Sequence, residues 1–562
     1  MSLARRTSLL AALLAIVFSA SAHENQLLIA PVKGYTLDAA GKLQRFDALL
    51  VEDGKVVATG DAARAQAHGD TQRIDGGGRV MLPGLIDAHG HVMGLGQMAS
   101  QADLTTAKSL DEALAIAKKH AEASGADWVR GRGWNQVVWK LGRFPTAKEL
   151  DTAISDRPAW LERVDGHAGW ANSLALQRAG ITHETPDPVG GRIERDAKGD
   201  ATGLLVDAAM LLVEKSIPAP DEDERIDTLD AALDAMASVG LTGVHDAGID
   251  EPTYRIYQRY AQQGRLTARI YAMIGGTDKD FDAIAADGPL EGGGHADEML
   301  GVRSIKLYSD GALGSRGAAL LAPYSDDPKN SGLLFSTQAQ MVAMIEKAFA
   351  KGYQVNVHAI GDRGNRVVLD SFAEAFKKYP EAKARRNRIE HAQVVAVEDI
   401  PRFVELGLIA SMQPTHATSD MNMAEDRVGA ERLRGAYAWR TFLKQGTVVA
   451  GGSDFPVESP NPFFGLYSAV TRQDHDGKPP GGWHPEQALT REEALRAFTL
   501  DAAYAAGQEK DLGTLEPGKQ ADFILIDRDY FAVDPSQIWS TQVLETWVGG
   551  RKVYEREEAS GE

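Results

Sequence analysis

Between residues 84 and 456 eight short apolar runs recur, rich in β-branched residues and each too brief for a helix. They are GLIDAH (84–89), TGVHDAG (242–248), RIYAMI (269–274), VRSIKLYSDG (302–311), YQVNVHAIGD (353–362), RIEHAQ (388–393), LIASMQP (408–414) and TVVAGGSDFP (447–456). Amphipathic stretches of helical period, such as QAQMVAMIEKAFAKG and VEDIPRFVELG, lie between most of them. Strands that alternate with helices run parallel, because each helix carries the chain back to the start of the next strand. Eight such units predict an α/β chain whose main domain is a (β/α)8 TIM-type barrel. The one long gap, roughly 97–225, reads as an insertion lying over the barrel mouth.

The two ends of the chain differ from the middle. Residues 23–82 and 506–562 carry short apolar runs broken by Gly-rich and Asp-Gly turns, as in DALLVEDGKVVATGD and GKQADFILIDRD. Together they predict one small β-sandwich domain, with residues 83–505 forming the barrel between its two parts. The first 22 residues hold two arginines, an apolar stretch from Leu9 to Phe18 and the pair Ala20 and Ala22. That is the layout of a secretory signal cleaved near Ala22, so a periplasmic or secreted protein is expected. The chain has no cysteine, which rules out disulfides, a lipidated cysteine and any thiolate metal site. No later run is long enough to cross a bilayer, so no membrane anchor is expected. A net charge of −19 without a cluster of Lys or Arg argues against nucleic acid as a partner.

Chemistry concentrates where the strands end. The active site of such a barrel lies at the C-terminal ends of its strands. There the sequence places His89 and His91 on the first strand, Lys306 on the fourth, His358 on the fifth, His391 on the sixth and Asp454 on the eighth. Each alone is a common packing or surface residue. Four histidines, a lysine and an aspartate at matching ends of separate strands are hard to produce by packing needs alone. Imidazole and carboxylate suit Zn²⁺ and its neighbours.

The motifs GLIDAHGH, SIKLYSDGALGSR, VNVHAIGD, RIEHAQ and GGSDFP resemble those of the amidohydrolase superfamily, in the family 3 branch that includes N-substituted formamide deformylase. The resemblance runs over nearly the whole chain after its first segment. It implies a metal-dependent hydrolase of non-peptide carbon–nitrogen bonds, with a β-sandwich attached to the barrel. It implies that His89, His91 and Asp454 hold one metal, that His358 and His391 hold a second, and that Lys306, carbamylated by CO₂, bridges them. One or two divalent ions, zinc first, are the cofactor so implied, and Asp454 is the catalytic proton shuttle. A homodimer is implied by resemblance alone. The substrate class is a small amide-like molecule. The alternatives are a degenerate barrel that only binds a metal or small molecule, and an esterase or isomerase on the same metal site.

Other residues carry less. Trp134 in GRGWNQ, with Arg132 and Asn135, and His167 in DGHAGWANS, with Asn172, fall in the insertion and resemble stretches that line a substrate cavity. Local folding explains them equally well. Tyr308, Asp310 and Arg316 follow Lys306, and Arg316 suits either a substrate carboxylate or an acidic neighbour. His416, just past the seventh strand, suits substrate contact or the surface, and His245 has no role to transfer. Asp362 is placed to orient the imidazole of His358.

Overall fold

A computed structural model describes residues 26–99, 101–136, 138–163, 168–188, 191–286, 288–290 and 299–557. The first 22 residues, expected to be a secretory signal, and His167 lie outside these residues.

Eight strands form one all-parallel sheet in sequence order. They are β1 (Leu85–Gly90), β2 (Leu241–Ile249), β3 (Arg269–Gly275), β4 (Leu300–Tyr308), β5 (Gln354–Ala359), β6 (Arg388–His391), β7 (Ile409–Met412) and β8 (Val449–Gly451). Successive strand side chains point to opposite faces, and here the alternation separates oil from chemistry. Val244, Ile270, Ile305, Leu307, Val355, Val357 and Ile389 join the large cluster that also holds the surrounding helices. The positions between them, His245, Tyr271, Ser304, Lys306, Asn356, Arg388 and Glu390, are buried on the other face. The barrel interior is therefore polar.

No ladder joins β8 to β1 among the described residues. Instead the segment after β8 is zipped onto β1: the Asp454 N–H donates to the His89 carbonyl and the His91 N–H to the Phe455 carbonyl, both at 2.7 Å. Between them the buried Asp87 carboxylate accepts from the Ser453 hydroxyl (2.6 Å), the Ser453 N–H and the His89 N–H. A Cβ at position 452 would sit 2.7 Å from both Asp87 Oδ1 and the His89 nitrogen, so only glycine lets the seam close. The Asp87 carboxyl is pushed up to about 7 by burial, against these donors.

Residues 102–207 contribute a separate six-stranded sheet. It has two cores of its own, one around Trp134, Leu161 and Trp170 and the other around Trp160, Leu205 and Val213. It enters after the helix Val92–Ala99 that follows β1, and Arg132 approaches Met98 there at 3.9 Å.

The chain ends build two further sheets. A four-stranded sheet comes from residues 26–74, and a six-stranded sheet joins Lys33–Leu37, Leu43–Phe46 and Val80–Pro83 to Phe523–Ile526, Val543–Val548 and Arg551–Glu555. Leu27, Ile29, Leu49 and Val51 of the first share a core with Met81, Phe523, Leu525 and Trp547 of the second.

Candidate metal centre

The left-handed backbone at two strand ends aims the side chains. His391 has φ 73° and Asp454 φ 61°, a region few residues other than glycine occupy and one often held at functional sites. His89, His391 and Asp454 each offer an atom within 4.8 Å of the others. Around them, His91 Nε2 lies 3.2 Å and His89 Nε2 3.6 Å from Asp454 Oδ1. The His358 ring stands 4.5 Å from that of His391. Lys306 Nζ donates to His89 Nε2 at 3.0 Å, fully inside the barrel. The Tyr308 ring closes one side, 5.5 Å from His358 and 4.9 Å from Lys306 Nζ.

Neighbours fix which nitrogen faces the centre. His89 Nδ1 donates to Glu390 Oε2 at 2.5 Å, and His391 Nδ1 donates to Gln413 Oε1 at 2.8 Å. Each imidazole thereby keeps its Nε2 lone pair for the interior, the arrangement that orients metal-binding histidines. Burial, then the Lys306 charge, pushes His89 down to about 4 and His358 to about 3. Burial and the neighbouring His358 and His89 hold His391 well below the usual histidine range. Burial would raise Asp454, but His91, His89, His391 and His416 outweigh it and keep the carboxylate ionised. Burial lowers Lys306 to about 8.

Three neutral imidazoles and a carboxylate, with no thiolate, match the donor set of Zn²⁺ and similar divalent ions. An orphaned atom strengthens the fit: His358 Nε2 is buried without a hydrogen-bond partner, a cost that an ion at the centre removes.

The polar interior beneath the centre includes residues that sequence reading passed over. Arg388 Nε donates to Glu390 Oε1 at 2.7 Å, and its other nitrogens reach His245 Nδ1 at 2.8 Å and the Ala88 carbonyl at 3.3 Å. Burial alone would raise the Glu390 carboxyl, but Arg388, His89 and Lys306 hold it below the ordinary range. The signal was in RIEHAQ: two charges two residues apart on a buried strand share one face and need each other. Gln413 likewise sits in a motif, SMQP, that ends a strand.

Several candidates are placed elsewhere. Trp134 is fully buried in the core of the inserted unit, its Nε1–H donating to the Leu161 carbonyl at 2.7 Å; this corrects its assignment to a substrate cavity. Asn172 caps the helix Ser173–Arg178 and holds the carbonyls of Ile154 and Arg157. Arg316 is engaged by Asp326 through Nε and Nη2 at 3.1 and 3.0 Å, which corrects the substrate-carboxylate reading in favour of the acidic neighbour. Asp362 accepts from the Leu321 N–H at 2.7 Å, whereas Asp310 is the carboxylate 3.7 Å from His358 Nε2. Asp310 also accepts from the N–H groups of Ala319, Ile360 and Gly361, and burial raises it to about 6 despite them. His416 faces the centre, 3.7 Å from Asp454 Oδ2.

This geometry sits in a chain with many relatives. The YtcJ protein of Bacillus subtilis is 34% identical over 533 residues, covering 93% of this chain and 98% of its own. N-substituted formamide deformylase of Arthrobacter pascens is 29% identical over 550 residues, covering 94% and 98%. The crystal structure of an uncharacterised metal-dependent hydrolase from Pyrococcus horikoshii superposes with a TM-score of 0.76 at 27% identity, over 91% of this chain and 99% of that one. Residues 72–554 match the sequence pattern of the amidohydrolase family, and with the eight-stranded barrel and its cluster of histidines the chain belongs to that family.

Proposed function

We propose that this protein is a metal-dependent hydrolase that cleaves the amide-type carbon–nitrogen bond of a small molecule. The observation that carries the reading is the convergence of His89, His391 and Asp454, with both imidazoles turned inward by Glu390 and Gln413. The formamide deformylase relative supports the choice of bond. His89, His91, His391, His358 and Asp454 would hold one or two divalent ions, zinc first. Lys306, 3.0 Å from His89 Nε2, would supply a further anionic ligand if carbamylated.

A divalent ion held here lowers the pKa of water and polarises a carbonyl. The protein's own groups do the rest. Asp454, ionised, takes the proton of the attacking water as the carbonyl carbon becomes tetrahedral, then hands it to the leaving nitrogen. Amides resist hydrolysis because the amine leaves badly, so the second transfer decides the rate. Tyr308, 42% exposed beside His358, is the wall against which the substrate lies. We carry the secretory reading of the first 22 residues into the same proposal: a periplasmic or secreted enzyme, working as a homodimer.

Elemental analysis of wild type, Lys306→Ala and Asp454→Asn, with a panel of formamides, N-acyl amines and cyclic amides, tests this. The expected result is about two metal equivalents in the wild type and one or fewer in Lys306→Ala. Hydrolysis of at least one amide should fall by about a thousandfold or more in Asp454→Asn. Full metal content with no hydrolysis of any amide would overturn the amide reading in favour of a binding protein or of an esterase or isomerase on the same site.

A further inference from the structure

The two oxygens of Asp454 face different neighbours. Oδ1 looks toward His91 and His89, at 3.2 and 3.6 Å. Oδ2 looks toward His416 Nε2 at 3.7 Å, outside hydrogen-bond range. His416 stands in the first turn of the helix Pro414–Asp420 that follows β7, where its N–H donates to the Gln413 carbonyl at 3.1 Å. Its ring lies nearly parallel to that of His391, 5.9 Å away and tilted by 21°. The same turn supplies Gln413, which holds His391, so His416 is positioned against the centre by the backbone that orients a ligand.

The Nε2 atom of His416 is buried and makes no hydrogen bond, although its side chain is only 12% exposed. An orphaned buried polar atom costs about 1–3 kcal/mol, and nothing in the packing of this turn requires one. An oxygen standing to one side of the pair can lie about 2.8 Å from both His416 Nε2 and Asp454 Oδ2. In amide hydrolysis one such atom exists. As water adds to the carbonyl carbon, the new C–O bond forms, the C=O π pair moves onto the carbonyl oxygen and the water's proton goes to Asp454. The C–N bond then breaks, the oxygen's pair re-forms C=O, and the proton goes from Asp454 to the nitrogen.

We propose that His416 is a further catalytic residue: its Nε2–H donates to the oxygen that carries negative charge in the tetrahedral intermediate, without giving up its proton. The proposal rests on the hydrolase reading for its chemistry. Its geometry belongs to His416 and Asp454 alone.

Methylphosphonate, a small tetrahedral oxyanion, provides the probe. Its dissociation constant would be measured by calorimetry on zinc-loaded wild type, His416→Ala and His416→Gln, with zinc content determined for each. The expected result is unchanged zinc in all three and binding weakened by about tenfold or more in His416→Ala. His416→Gln, whose side-chain amide can donate, should recover much of the loss. Equal binding by wild type and His416→Ala overturns the proposal, and so does absence of binding to the wild type. Loss of zinc in His416→Ala overturns it too, because His416 would then be a ligand. Methylphosphonate held through His416 by a protein that cleaves no amide would leave His416 an oxyanion donor while sinking the hydrolase reading, and its catalytic role would be overturned with that reading.

Discussion

Arg388 has no accessible surface, and neither has Glu390. A buried guanidinium is tolerated only when its charge is met and its donors are used. Both conditions hold here through Glu390, His245 and the Ala88 carbonyl. The consequence reaches His89, because the second oxygen of Glu390 receives its Nδ1–H. Replacing Glu390 by Gln keeps the shape but removes the anion that makes His89 a strong donor. Zinc affinity, measured by chelator competition, should fall about 10–100-fold, and the melting temperature should fall with it because Arg388 loses its counter-charge; unchanged affinity would show that Glu390 serves only to neutralise Arg388. The converging histidines and Asp454 were legible in the sequence because few chemistries ask for those residue types at strand ends. Arg388 and Glu390 were passed over although RIEHAQ holds both, since a charged pair on a strand ordinarily marks a solvated face. Only a barrel with a polar interior reverses that rule. By resemblance Trp134 reads as a cavity residue, with local folding weighed equally, and local folding accounts for it: it ends the strand Val129–Trp134 and its indole packs edge-on against Trp170.

At the scale of elements, the eight strands and their order could be read from spacing, while the closure could not. β8 is only three residues long and ladders with β7, and its seam with β1 depends on Asp87 and on what packs beneath. The helix Leu500–Ala505 lies there, with Ala502, Ala503 and Ala505 in one cluster with Ile86, Ala88 and Ala450. It carries the buried Asp501, pushed up to about 6 by burial even though Arg496 Nε donates to it at 2.9 Å. The sign of its effect on stability follows. The folded state holds this proton more tightly than the unfolded chain, whose Asp titrates near 3.8. The contribution is therefore complete below that value and is lost as pH rises through 6. Asp501→Asn keeps an acceptor for Arg496 but cannot ionise. The difference in melting temperature between variant and wild type should thus grow in the variant's favour between pH 4 and 7. A difference that stays flat across that range would mean Asp501 is ionised throughout.

Across the whole molecule, the cores differ in what they share. The six-stranded sheet of the chain ends is buried on both faces. Met81, Phe523 and Leu525 turn to the sandwich, and the residues between them, Leu82, Ile524 and Ile526, turn to the barrel cluster. The inserted unit keeps its two cores to itself. That contrast shows in the residue pattern, where FILI is apolar at every position while inserted strands such as VRGRGW and GRIER interleave charge. It has a measurable consequence. Trp170→Ala removes a fully buried indole whose Nε1–H donates to the Thr146 carbonyl at 2.8 Å, a change worth about 3–5 kcal/mol. Ile524→Ala removes about 2–5 kcal/mol from the shared sheet. Hydrogen exchange followed by mass spectrometry reports where each loss is felt. In Trp170→Ala the peptides of residues 102–207 should exchange faster while those of β2 to β6 keep their protection and the metal content stays whole. In Ile524→Ala, sandwich and barrel peptides should lose protection together. Faster exchange in the barrel strands of Trp170→Ala would mean that the inserted unit is part of the barrel's own cooperative fold.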